Sequence, residues 1–121
     1  MNKRKILISI CRLEEFKRLT RARFKQAEAG LPAEEPTHRL YFTDEDNLFS
    51  TLTPKRMELL RYLKQHGPLS HRQLALQLNR AYANVHEDVK QLMQLELIEK
   101  DSEQKLVVPW DELDISVPLA A

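Results

Sequence analysis

The polar and basic side chains between residues 70 and 105 have the types and spacing that suggest a chemical role. Amide and hydroxyl groups hydrogen-bond to base edges or phosphates, while lysine and arginine neutralise phosphates. Asparagine is the type that forms a bidentate contact with adenine, whereas tyrosine and lysine more often contact the backbone. This set predicts a surface for double-stranded DNA, formed by Ser70, Arg72, Arg80, Tyr82, Asn84, His86, Lys90, Lys100 and Lys105. For each of them the alternative is an exposed polar residue without a partner.

Catalytic and metal-binding patterns are not found in the sequence. The four histidines and Cys11 form no HxxxH or CxxC pair, so no metal site is expected. Adjacent carboxylates such as Glu14 and Glu15 are typical of solvated faces and nominate neither an acid–base pair nor a nucleophile. The only two glycines, Gly30 and Gly67, cannot form a phosphate-binding loop. We therefore expect neither an enzyme nor a cofactor.

The second half of the chain contains clear signals for the start and end of helices. Thr53 and Pro54 predict a helix start, because threonine caps a helix and proline is tolerated at its first position. This helix is expected to run to about His66 and to stop at Gly67-Pro68. Ser70 and Gln73 fit a capping box at the start of a second, shorter helix, which is expected to end at the break Asn79-Arg80.

A third helix and a hairpin complete the predicted domain. The helix is expected over about Tyr82–Leu95, followed by strands at Leu97–Lys100 and Lys105–Val108. Its inward face is formed by Val85, Val89 and Leu92. Two short helices, a break of a few residues, and a third helix followed by a hairpin predict a winged helix-turn-helix. The third helix is the predicted recognition helix, since the major groove admits one α-helix.

The first half of the chain predicts a small strand-helix-strand unit. Its predicted elements are a strand at Ile6–Ile10, a helix at Arg12–Ala29, a loop over residues 31–37, a strand at His38–Phe42 and a short helix at Asp44–Ser50. Gly30 and Pro32 are expected to end the first helix. The predicted fold class is thus mainly α with short β, divided into residues 1–52 and a winged helix-turn-helix at residues 53–121. The first unit is expected to pack on the second or to dimerise.

The net charge of +1 conceals an uneven distribution of charge along the chain. Residues 1–25 contain nine basic residues against two acidic ones, which predicts either a basic patch or a solvated helix face. Residues 67–100, which include the predicted recognition helix, contain four of each. Because neutralised phosphates supply much of the affinity for DNA, this segment alone is expected to bind weakly. We expect a homodimer, with further charge from the N terminus or from Lys55, Arg56, Arg61 and Lys64.

The amino-terminal residues do not have the pattern of a targeting or membrane segment. The apolar run Ile6–Ile10 is too short for a signal peptide core or a membrane span. The single cysteine excludes an intramolecular disulfide. These features predict a cytoplasmic protein that does not associate with membranes.

Several short patches of the sequence resemble a group of short prokaryotic DNA-binding regulators with a MarR-like winged helix. The patches are Leu52-Thr53-Pro54-Lys55-Arg56, Leu59-Leu60, His66-Gly67-Pro68-Leu69-Ser70, Arg80 with Tyr82, Asn84-Val85-His86, Asp88-Val89 and Val108-Pro109-Trp110-Asp111-Glu112. The resemblance implies a sequence-specific regulator, and members often look like antitoxins that repress their own operon. This chain departs from the group at Glu87, where a basic residue is common, and at Glu96, where glycine is common.

Two functions of different classes follow from these observations. The first is a sequence-specific DNA-binding transcriptional regulator, expected to act as a repressor. The second is an antitoxin-type interaction module that binds a small partner toxin through the N-terminal half or the acidic tail.

Trp110 is expected to pack against the helices, and the alternative for this residue is a stacking contact with nucleic acid.

Overall fold

Five helices and five short strands make up the computed structural model, which describes residues 3–28 and 38–119. In chain order they are β1 (Lys5–Ile10), α1 (Leu13–Glu28), β2 (His38–Phe42), α2 (Glu45–Thr51), α3 (Pro54–His66), α4 (His71–Leu78), α5 (Tyr82–Gln94), β3 (Glu99–Lys100), β4 (Leu106–Val107) and β5 (Glu112–Ser116). The fold class is therefore mixed α/β. The described elements form two compact units, which we call the sheet unit (residues 5–28, 38–50 and 112–119) and the helical unit (residues 3–4 and 51–111).

The sheet unit is built on three parallel strands in the order β2-β1-β5. Parallel neighbours require a crossover connection, and α1 lies in the connection from β1 to β2. Alternate residues of a strand share one face, and on β1 these are the buried side chains of Ile6, Ile8 and Ile10. The strand-helix-strand order predicted for the first half of the chain is thus confirmed.

The third strand of the sheet was not predicted from the sequence. Glu112–Ser116 lies parallel to β1, and the register runs from Lys5 opposite Glu112 to Ser9 opposite Ser116. Nζ of Lys5 lies 3.2 Å from Oε2 of Glu112, which is a half-exposed ion pair. Residues 112–119 therefore belong to the sheet unit, whereas the predicted boundary places them in the second domain. The predicted helix end at Gly30 and Pro32 and the loop over residues 31–37 lie outside the described residues.

The helical unit begins and ends its helices where the sequence predicts. Oγ1 of Thr53 accepts a hydrogen bond from the backbone N–H of Arg56, and Pro54 follows at the first helical position. Both hydrogen bonds of the capping box between Ser70 and Gln73 are present. Asn79 caps the end of α4 in the left-handed region, with φ 54°. These local interactions fix the lengths of α3 and α4 and the position of the turn before α5.

The core of the helical unit is formed by the buried apolar side chains of α3, α4 and α5 and by those in and next to the hairpin. Leu69 extends the β3-β4 pair by a bridge to Leu106, with two backbone hydrogen bonds of 2.8 and 3.2 Å. In this unit the described side chains that are 1% exposed or less are Leu59, Leu63, Leu74, Val85, Val89, Leu92, Leu97, Ile98 and Leu106. No helix of residues 3–28 and 38–119 combines the length and the apolar character that crossing a membrane requires.

Glu96 occupies the turn that connects α5 to the hairpin, with φ 61°. The sequence predicts that this residue is strained if the turn needs a positive φ, and the structure confirms the condition. A side chain in the left-handed region is unfavourable compared with glycine. The carbonyl oxygen of Glu96 accepts a 2.9 Å hydrogen bond from Nε1 of the buried Trp110, which stabilises the turn. The expectation that Trp110 packs inside its domain is therefore confirmed.

Replacing Gly67 by alanine is expected to destabilise the helical unit by about 1–3 kcal/mol, because the added Cβ overpacks the end of α3. A Cβ at this position would lie 2.6 Å from the carbonyl oxygen of Leu63, an atom that cannot rotate away. The same carbonyl accepts the Gly67 N–H at 2.7 Å, so the backbone is held in place. Urea unfolding of the wild type and of Gly67→Ala measures the effect. The exposed neighbour Gln65→Ala is the control, and equal midpoints for all three proteins would contradict the prediction.

Candidate functional site

The exposed face of α5 carries several of the residues predicted to contact DNA. Val85, Val89 and Leu92 are fully buried, and this stripe directs the opposite side of the helix to solvent. The exposed polar residues of the helix include Tyr82, Asn84, His86, Glu87 and Lys90. Tyr82 keeps 49% of its surface although it is a large aromatic residue. An amide, a phenol and an ammonium group are therefore available on one helix to a ligand as large as a nucleic-acid duplex.

Asp88, next to this exposed face, holds α5 against two other segments of the helical unit. Its Oδ1 accepts a 3.0 Å hydrogen bond from Nε of Arg56, and its Oδ2 accepts one of 2.7 Å from Nη2 of Arg80. The three side chains are only 15–20% exposed, so solvent screens these contacts weakly. Arg56 also donates from Nη1 to the carbonyl of Thr51 at 2.9 Å. We call Arg56, Arg80 and Asp88 the Asp88 network.

Arg80 was predicted to contact phosphate, but the structure gives its guanidinium an internal partner. The side chain turns towards Asp88, and its Nη1 atom is buried without a hydrogen-bond partner among the described residues. A guanidinium in this position lies between elements of the unit and not on its exposed face. Arg80 therefore positions α5 relative to the turn that follows Asn79.

An open cavity of about 370 Å³ lies beside α5, and we call it the basic cavity. It is lined by His71, His86, Lys90, Met93, Gln94 and Lys100. The rings of His71 and His86 are stacked, with centroids 4.8 Å apart and planes inclined by 28°. The centroid of the Tyr82 ring lies 5.8 Å from that of the His86 ring, and the two planes are inclined by 41°. Three predicted site residues from α5 and β3 thus meet a histidine of α4 that was not predicted.

The electrostatic surroundings of His71 disfavour its protonated form. Partial burial lowers the pKa of its imidazole below 6.5, and the nearby His86 and Lys100 lower it further. None of the six residues that line the basic cavity is acidic. In the described part of the chain, neither Lys90 nor Lys100 has a carboxylate within ion-pair distance. The cavity is therefore a concentration of positive charge without an internal counter-ion.

The remaining predicted site residues lie around the helix starts and the hairpin turn. The hydroxyl of Ser70 accepts the Gln73 N–H, so it is occupied by the cap of α4. Arg72 is exposed in the first turn of α4. Lys105 lies in the hairpin turn, where Oδ1 of Asp101 accepts its backbone N–H at 2.9 Å. Arg72 is therefore accessible to a ligand, whereas Ser70 has a structural role.

Two of the four basic residues of α3 are engaged in internal ion pairs. Arg56 belongs to the Asp88 network, and Lys64 lies 3.2 Å from Asp111. The backbone N–H of Arg4 and the ammonium of Lys64 lower the pKa of Asp111, which keeps this carboxylate charged. Lys55 and Arg61 are exposed. Of the extra charge expected from α3, only these two residues are therefore free of carboxylate partners in the described chain.

His71 and Asp88 are the functional candidates that sequence reasoning missed. His71 stands at the start of α4 and meets His86, which is fifteen positions later in the sequence. In the sequence, Asp88 is an acidic residue of the predicted recognition helix and part of one patch of the resemblance, and nothing there names a partner for it. Its neighbours Val85, Val89 and Leu92 could have shown that it borders the buried stripe, where a charged residue needs a partner. Within the described residues, no group of three histidine, cysteine, aspartate or glutamate side chains could hold a metal ion.

One comparison with known proteins gives a match. A family model with the description HVO_A0114 matches residues 51–115. The matched range contains the Asp88 network and all residues of the basic cavity. No curated protein and no solved structure matches the chain.

Proposed function

We propose that this chain, which belongs to the HVO_A0114 family because the matched residues cover more than half of its length, is a DNA-binding transcriptional regulator. In this proposal the helical unit is a winged helix-turn-helix similar to the MarR type. Its recognition helix is α5, its supporting helix is α4 and its wing is the β3-β4 hairpin. The regulator acts as a repressor by occupying DNA upstream of the genes that it controls.

The exposed face of α5 is the observation that carries the proposal. A helix can enter the major groove only if one side is held by the protein and the other side is free. The buried stripe and the Asp88 network hold one side of α5, while Tyr82, Asn84 and Lys90 remain exposed on the rest of the helix. In the proposed complex the Asn84 amide reads an adenine edge, and Lys90 contacts phosphate.

The elements next to α5 support the same mode of binding. The basic cavity includes Lys100 of β3, so that positive charge extends from the recognition helix to the proposed wing. Arg72 is exposed in the first turn of α4, where phosphate contacts commonly occur in this type of domain. Glu87 opposes binding, since it is an exposed carboxylate on the same helix. We infer that a homodimer supplies the remaining charge by presenting two such surfaces to two half-sites.

A gel-shift assay at several salt concentrations tests the proposal on DNA from upstream of the chain's own gene. We expect retardation that weakens steeply with salt, and we expect the double variant Asn84→Ala, Lys90→Ala to lose about 2–4 kcal/mol of binding free energy. The variant Gln65→Ala is the control, because it removes an amide from an exposed position on α3. If specific retardation is absent at low salt, or if the double variant binds like Gln65→Ala, the proposal fails.

A second candidate function is an antitoxin-type module that binds a small partner protein. Large apolar side chains exposed in the sheet unit favour it, since Phe49 keeps 60% of its surface and Ile115 keeps 45%. Such residues are typical anchors of protein interfaces when they are found together with polar neighbours. Co-expression with the product of the neighbouring gene, followed by size-exclusion chromatography, tests this function. A complex that is lost in Phe49→Ser, Ile115→Ser would support it, whereas separate elution of the wild-type proteins would exclude that partner.

A further inference from the structure

We propose that the basic cavity is a binding site for a tetrahedral oxyanion of the phosphate class, with an affinity that increases as the pH falls. The existence of the site does not depend on the proposed function, whereas the assignment of the DNA backbone as the source of the phosphate rests on it. The proposal adds His71 to the interface and gives the two stacked histidines a role.

The charges around the cavity argue for an anionic ligand. Two ammonium groups and two imidazoles converge on it from α4, α5 and β3, and none of its lining residues is acidic. Like charges held together raise the free energy of a site, and a bound anion removes this penalty. Lys90 and Lys100 form no ion pair with any described carboxylate, so their charges are available to a ligand.

The size and openness of the cavity suit a phosphate group that reaches it from solvent. Its volume of about 370 Å³ corresponds to roughly twelve times the share of one water molecule in the liquid. A tetrahedral oxyanion therefore fits with several of its hydrating waters. Gln94 adds an amide donor to the lining, and Met93 adds apolar surface. A larger molecule or a duplex could keep the rest of its structure outside the cavity.

The stacked histidines make the proposed site sensitive to pH. His71 is partly buried and faces His86 and Lys100, and these three influences all lower the pKa of its imidazole below 6.5. His86 faces His71 of α4, Tyr82 and Lys90 of its own helix, and Lys100 of β3. At neutral pH the lysines therefore provide most of the charge. When the pH falls, protonation of the His71 imidazole adds charge and an N–H donor, and the oxyanion binds more tightly.

Linkage gives this inference a direct spectroscopic test. If protonation of an imidazole strengthens binding, then the bound anion must raise the pKa of that imidazole. We expect sulfate, used as the probe because its charge is constant in this range, to bind about tenfold more tightly near pH 5.5 than near pH 8. NMR titration of the full chain follows the imidazole signals in chloride and in sulfate at equal ionic strength. The pKa of His71 should rise in sulfate.

His66 is the internal control for this titration. It lies on α3, stacked on Tyr62 at 4.1 Å, and does not line the basic cavity. The variants Lys90→Gln and Lys100→Gln should reduce the effect of sulfate on His71, while Lys55→Gln on α3 should not. If sulfate leaves the titration of His71 unchanged, or changes His66 equally, the oxyanion site is refuted. Equal responses of Lys90→Gln and Lys55→Gln would refute it as well.

A DNA duplex as the second ligand distinguishes the two sources of the oxyanion. If the DNA backbone is the source, the duplex should raise the pKa of His71 and compete with sulfate. If the duplex binds without affecting His71, and inorganic phosphate reproduces the effect of sulfate, the source is a free phosphate compound. If sulfate binds but no duplex does, the proposed function fails and the oxyanion site remains. If a duplex binds, but the duplex, sulfate and inorganic phosphate all leave the pKa of His71 unchanged, the oxyanion site is refuted and the proposed function remains.

Discussion

Replacing Asp88 by alanine is expected to lower the free energy of unfolding by about 3 kcal/mol. Removing one partner from a mostly buried ion pair leaves an uncompensated charge, which typically costs about 3–5 kcal/mol. Here two guanidinium groups lose their common partner, and their side chains are 16% and 20% exposed. This residual exposure lets water replace part of the lost interaction, so we place the effect at the lower end of that range. The N–H groups of Arg56 and Arg80 that face Asp88 would need to move towards solvent.

Urea unfolding of Asp88→Ala and of Glu87→Ala measures the effect with a closely matched control. Both variants remove one carboxylate from α5, but Glu87 is exposed and only accepts a 3.0 Å hydrogen bond from Gln91. Glu87→Ala should therefore change the stability by less than about 0.5 kcal/mol. Asp88→Asn keeps the shape of the side chain, and we expect it to be destabilised to an intermediate extent. A loss of stability that is the same for Asp88→Ala and Glu87→Ala would show that the network does not hold α5.

The helix boundaries could be predicted from the sequence because short-range interactions set them. Thr53 caps α3 through a residue only three positions away, and Ser70 does the same for α4 through Gln73. The buried stripe of α5 follows from the helical period alone. In each case the residues that determine the structure lie within one or two turns of one another. Such signals are visible in a single sequence.

Long-range pairing explains the features that the sequence did not predict. β5 lies next to β1 although Glu112 is more than a hundred residues from Lys5. The residues of either strand do not indicate which strand it pairs with. Asp88 pairs with Arg56 across 32 positions. The basic cavity likewise joins His71 to His86 and Lys100 from three different elements. Composition and local charge counts treat these groups separately, and so the neutral segment of residues 67–100 conceals a local excess of positive charge.

This separation of charges changes the interpretation of the two acidic residues of α5. Asp88 is neutralised by two arginines inside the helical unit, so it contributes little to the field outside. Glu87 is exposed and has no described cationic partner. In the proposed mode of DNA binding, Glu87 is therefore the carboxylate of α5 that repels the phosphates. Asp88 instead holds the proposed recognition helix in place through its hydrogen bonds to Arg56 and Arg80.

Replacing Glu87 by lysine is expected to strengthen DNA binding by tenfold or more at low salt. The substitution removes one negative charge and adds one positive charge on the proposed recognition helix, where each new phosphate contact changes the salt slope by about 0.9. Glu58→Lys is the control, since it makes the same change of charge at an exposed position of α3. Gel shifts at several salt concentrations should give a tighter and steeper response for Glu87→Lys than for Glu58→Lys. If both variants gain equally, net charge alone governs binding and α5 is not the recognition helix. If neither variant binds more tightly than the wild type, Glu87 does not repel the phosphates, because replacing its carboxylate by an ammonium group would otherwise have strengthened binding.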